Sequence, residues 1–168
     1  MRTVVKTIDS ISEWAGKTIR WLCVVLVVVM VYEVIMRYGF GAPTMWAYET
    51  CIMLGAAIYG IAWSYTHRHN AHIRVDVFYM RLSPKGKAIV DVAGDLLFLF
   101  PLAIILIGIS SAWTWRAWLT NEVMAETYWY PPSAPLRTVV TLGFCLFALQ
   151  GVANFTRNLS LLIRSKPL

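Results

Sequence analysis

Four long apolar stretches, separated by short polar connections, take up most of the 168 residues. They run over about 19–38, 46–66, 89–115 and 136–158. Each is close to the ~20 residues of helix that cross ~30 Å of hydrocarbon. So many unbroken apolar residues exceed what a soluble domain of this length can bury. The sequence therefore predicts an all-α integral membrane protein, a single membrane domain with four transmembrane helices.

Charge placement gives the expected topology. The chain is 58% hydrophobic and only 14% charged, with a formal net charge of +6, against about 25% charged residues in soluble domains. A basic excess can mark a nucleic-acid binder, but here it is one-sided. Of the 15 Lys and Arg, only Arg37, Arg116 and Arg137 fall on the side of the connections after spans one and three. The positive-inside rule then puts both termini and the central loop in the cytoplasm, where basic side chains also meet anionic membrane lipids. No nucleic acid is implied. The N-terminus leads basic residues into an apolar run, but the run is long and no small-residue cleavage site follows Tyr38, so an uncleaved first span is expected.

Residues 1–18 read as an N-terminal amphipathic helix, with Val4, Val5, Ile8, Ile11, Ala15, Ile19 and Leu22 at helical spacing. Its expected place is on the cytoplasmic leaflet, before a turn into the membrane. The central loop from His67 to about Ala88 is the most polar part of the chain. A short interfacial helix is expected there, because an isolated strand at a membrane surface leaves backbone groups unpaired. Pro101 is a candidate bend in the long third segment. Asp91 and Asp95, at its first turns, are explained by ion pairing with residues such as Lys87.

Ionisable residues inside a membrane are functional candidates, and here these are Glu33, Arg37 and Glu49. Glu33 and Arg37 stand four residues apart and can pair on one helix face. Glu49 has the same outer depth, so a three-member charge cluster is feasible, with assembly rather than ion coupling as its expected role. His67, His69 and His72 share one loop, whereas haem-bridging helices need histidines in opposed spans, and nothing completes a metal site. Cys23, Cys51 and Cys145 lie within spans and form no C-x-x-C pair. No phosphate-binding loop or nucleophile–base constellation is present. No enzyme and no cofactor are expected, and neither broken helices nor repeated halves suggest a complete transporter.

Three ordered motifs carry a family resemblance. Arg37-Tyr38-x-Phe40-x-Ala42-Pro43-x-x-Trp46-x-x-Glu49 occupies the first outer turn. Arg68-x-x-Ala71-His72-Ile73-Arg74-Val75-Asp76 occupies the central loop, and Trp129-Tyr130-Pro131-Pro132 leads into Leu142-Gly143-Phe144 and Leu149-Gln150. Together they resemble the small permease subunit of tripartite ATP-independent periplasmic (TRAP) transporters, the DctQ type. The resemblance implies a scaffold role beside a large permease subunit that binds substrate and sodium. It also implies a periplasmic substrate-binding protein that delivers a small organic acid at the bacterial inner membrane. Arg37, Trp46 and Glu49 would organise the outer ends of spans one and two. His72, Arg74 and Asp76 would fix the cytoplasmic loop, and Trp129–Pro132 would face the binding protein. The alternatives are a stand-alone four-helix exporter, a haem- or quinone-linked anchor, and a structural membrane protein. An exporter calls for a mid-span glutamate, whereas Glu33 lies near the outer end of its span.

Overall fold

A computed structural model describes residues 2–69, 71 and 79–164. Its elements are α1 (Arg2–Val34), a π-turn (Ile35–Gly39), α2 (Trp46–Arg68), α3 (Pro84–Gly94), a second π-turn (Asp95–Leu99), α4 (Phe100–Thr120) and α5 (Ala134–Arg164). Three rods are long and apolar enough to cross a membrane: Thr3–Gly39, Pro84–Thr120 and Ala134–Ile163. The protein is an all-helical membrane protein, with one isolated bridge between Val123 and Pro132 as its only β pairing among the described residues.

The fourth predicted span is a helix at the expected place but is not among those three rods. Its position accounts for its composition. α2 packs most extensively on α5 and next on α1, while α4 and α3 pack on α5 from the other side. α1 and α4 share no substantial contact. The molecule is thus an open row, α1–α2–α5–α3/α4, in which α2 lies between α1 and α5 and α1 also reaches α5 at one end. Side chains that meet protein rather than hydrocarbon can be small or polar, and α2 buries Ala47, Glu49, Gly60, Ser64 and His67.

The predicted amphipathic segment 1–18 is continuous with the first span; α1 has no turn at residue 18. Gly16, which might have broken it, is consumed by packing: a Cβ there would stand 2.1 Å from Tyr65 Cδ2. Its buried face, Val5, Ser12, Ala15 and Ile19, lies inward. The predicted interfacial helix falls largely on residues outside the described ones. Ser83-Pro84, within the same predicted loop, opens α3: Ser83 Oγ accepts from Gly86 N–H at 3.2 Å, and proline takes the first helical position.

The Pro101 irregularity takes the form of a widened turn. Proline lacks an N–H and its ring crowds the carbonyl four residues back, and the preceding Asp95–Leu99 turn relaxes to π geometry, with Phe100 N–H bonding Asp95 O. Leu99 then fits against Gly151 of α5, where a Cβ would stand 2.6 Å from Leu99 Cδ2.

The end of the row carrying residues 39–45 and 121–133 is termed outer, after the charge bias of the sequence, and the opposite end inner.

Candidate functional site

At the outer end, α1 supplies Glu33 and the π-turn that continues it supplies Arg37. Arg37 donates to Glu33 Oε1 from Nε at 3.0 Å and from Nη2 at 2.6 Å. Glu33 Oε2 accepts from the backbone N–H of Thr44 at 3.1 Å and from its hydroxyl. One carboxylate thus ties the helix to the 39–45 connection, whose reversal also uses Gly41 at φ +63°, a conformation glycine adopts without steric penalty. Trp46 at the start of α2 stacks on Tyr32, with ring centroids 5.7 Å apart. Glu33 and Arg37 line an apolar groove of about 570 Å³ between α1 and α2, together with Leu26, Met30, Val34 and Ile52.

Glu49 matches the depth of this pair but is not joined to it by an ion pair or hydrogen bond among the described residues. Ala47, Tyr48, Cys51 and Ile52 line the groove toward α1. The Glu49 carboxylate is fully buried (0% exposed), and its Oε1 accepts the backbone N–H of Thr127 at 2.8 Å. The charge stands in the first turn of α2, where the positive end of the helix dipole favours an anion. The feasible three-member cluster resolves into two separate anchors.

The outer loop has a hairpin-like base. Met124 N–H donates to Pro131 O at 2.8 Å, and Ser133 N–H donates to Glu122 O at 2.9 Å. Arg137 of α5 pairs with Glu122 and also donates to Trp113 O. Asn121 and Tyr130 take left-handed backbone conformations, at φ 48° and 51°. The four predicted docking residues divide: Trp129 (46% exposed), Tyr130 (51% exposed) and Pro132 are exposed, whereas Pro131 is buried beneath them. Tyr128 is more exposed than either neighbour.

At the inner end lies a polar network of which the sequence reading singled out only parts. Gln150, buried in the middle of α5, accepts from Ser12 Oγ of α1 at 2.7 Å. Its amide donates to Asp9 Oδ1 at 3.1 Å and to Asn154 Oδ1 at 3.3 Å. Arg157 pairs with Asp9, and Asn154 Nδ2 donates to His67 O at 3.0 Å. Arg68 bonds both Asp9 O, at 2.8 Å, and the Glu13 carboxylate, which His69 and Lys17 also approach. The signal was the spacing of Gln150, Asn154 and Arg157, which puts them on one face of α5.

His72, Arg74 and Asp76 lie outside the described residues. Asp91 accepts the Tyr79 hydroxyl at 2.8 Å, and Lys87 stands 5.4 Å above the Tyr79 ring. Among the described residues, no group of three His, Cys, Asp or Glu is arranged to hold a metal ion. Both clusters join helices and loops that are distant in sequence.

A family model described as tripartite ATP-independent periplasmic transporters, DctQ component, matches residues 26–161. No curated protein matches the chain.

Proposed function

The chain belongs to the DctQ component family of tripartite ATP-independent periplasmic transporters, the small permease component, and we propose that it scaffolds a large permease subunit and helps receive the substrate-binding protein. The family is one of transporter components, not of enzymes. In this reading sodium binding and substrate selection belong to the large subunit, and the cargo is a small organic acid.

The observation that carries the scaffold reading is the open row. α1 and α4 stand at its two ends, each with a broad exposed apolar surface, including Val24, Val28 and Val31 on one and Leu102, Ile104 and Ile105 on the other. Lipid covers such surfaces in part, and a large membrane partner has an extended wall to dock against. All four rods cross the inner membrane in this reading, with both termini cytoplasmic. α2 has 23 residues, about 35 Å of helix, and its Glu49, Ser64 and His67 are buried.

The docking reading rests on the exposed Trp129 and Tyr130 beside a braced loop base, since aromatic side chains are enriched where proteins bind one another. Two experiments test the whole. Mild-detergent affinity purification from native membranes should recover a large multi-span permease in near-equal amount. Recovery of this chain alone in several detergents would reject the scaffold role. Uptake by the reconstituted complex should require the binding protein and a sodium gradient.

A further inference from the structure

The tip of the outer loop, between Met124 and Pro131, has one hydrogen bond to the helix row among the described residues: Thr127 N–H to Glu49 Oε1. Everything else that braces the loop acts at its base, through the 123–132 bridge and the Glu122–Arg137 pair. Glu49 itself is fully buried, and its Oε2 has no hydrogen-bond partner among the described residues. A buried carboxylate normally gathers several donors. This one spans 78 residues of sequence to hold a single loop amide.

Thr127 passes the constraint outward. Its hydroxyl accepts the N–H of Trp129 at 3.3 Å, a local threonine turn that fixes the backbone two residues on. We propose that Glu49 is the positioning residue of the docking loop: from inside the helix row it sets Thr127, and through Thr127 it sets the presentation of Trp129 and Tyr130. The docking role of those aromatics rests on the function proposed above, but the shape of the loop can be measured separately. Glu49 then acts between α2 and the α4–α5 loop, not between the outer ends of α1 and α2.

Hydrogen–deuterium exchange of the full chain in lipid nanodiscs, followed over residues 121–133, reads the strut directly. In Glu49→Ala the Thr127 amide should exchange about ten- to a hundred-fold faster, while α2 keeps its protection. Glu49→Gln retains an acceptor at the same place and should restore the slow rate. Thr127→Ala should speed exchange at residue 129 and leave residue 127 protected. Unchanged exchange at 127 in Glu49→Ala would overturn the proposal. If Glu49→Ala fails to fold, Thr127→Ala decides: an unchanged rate at 129 would equally overturn it. Uptake by complexes carrying Thr127→Ala then separates the two readings. A loosened loop with full uptake leaves the strut standing and removes the docking role of the aromatics.

Discussion

Gly143 of α5 and Gly60 of α2 meet backbone to backbone. A Cβ on Gly143 would stand 2.5 Å from the Gly60 carbonyl oxygen and 3.0 Å from its Cα. Small residues at such crossings let membrane helices approach closely enough for dispersion contacts to hold them. Around this crossing Trp63 of α2 packs on Phe144 and Phe147 of α5. Gly143→Ala should therefore destabilise the protein by about 1–3 kcal/mol, read as a lower apparent melting temperature in detergent. Gly108→Ala on α4, where nothing lies within 4 Å, is the control. Equal melting of the two variants would refute the crossing as a stability determinant.

The inner network predicts energetic coupling across the chain. Asp9 serves both Gln150 and Arg157, so Asp9→Ala and Arg157→Ala should be less damaging together than the sum of each alone. A coupling of about 1–2 kcal/mol is expected for a partly buried, hydrogen-bonded pair. Additive losses in a double-mutant cycle would mean that the pair is incidental.

At the outer end Glu33 accepts four hydrogen bonds, two from Arg37 at Oε1 and two from Thr44 at Oε2. Glu33→Ala should thus release the 39–45 connection, while Arg37→Ala leaves the Thr44 bonds in place. Recovery of the permease complex should fall in both, and further in Glu33→Ala. Unimpaired recovery with an altered sodium dependence of uptake would instead assign the pair to ion coupling.

Trp129→Ala with Tyr130→Ala should lower uptake several-fold without loss of the membrane complex, as expected for aromatic contacts at an interface. Pro131→Ala should act differently, because Pro131 is buried and its carbonyl holds Met124; its effect should appear in loop protection first. Full uptake by the aromatic double variant would dismiss the docking role.

The helical class, the placement of the helices and the Glu33–Arg37 pair were legible because they depend on local periodicity and composition, whereas three of the four expected spans meet the length and apolarity of a membrane crossing. The boundaries 46–66 and 136–158 fall within the observed α2 and α5. What the sequence left hidden was azimuth. Depth can be counted along a helix, and it put Glu49 level with Arg37, but which flank of α2 faces α1 depends on the order of helices in the row. Residues 47, 48, 51 and 52 turn toward α1, while Gly60, eleven residues after Glu49, meets α5. The polar face of residues 1–18 was ambiguous for the same reason. Asp9, Ser12 and Glu13 suit headgroups and partner helices alike; the α5 partners of Asp9 and Ser12 lie more than 130 residues away, and the partners of Glu13 include Arg68 and His69 at the end of α2.

The pairing of α2 with α5 also sets a timetable for biogenesis. α2 is not among the three most apolar rods, and its principal neighbour, α5, leaves the ribosome only after α3 and α4. Until residues 134–164 insert, Gly60 faces no helix, and the loop that carries Thr127 lacks its brace from Arg137. The nascent chain must pass through a stage in which α2 leans on α1 alone, a state suited to capture by an insertase or by a membrane protease. Chains truncated before α5 should be short-lived in the membrane even though two of the three most apolar rods are complete.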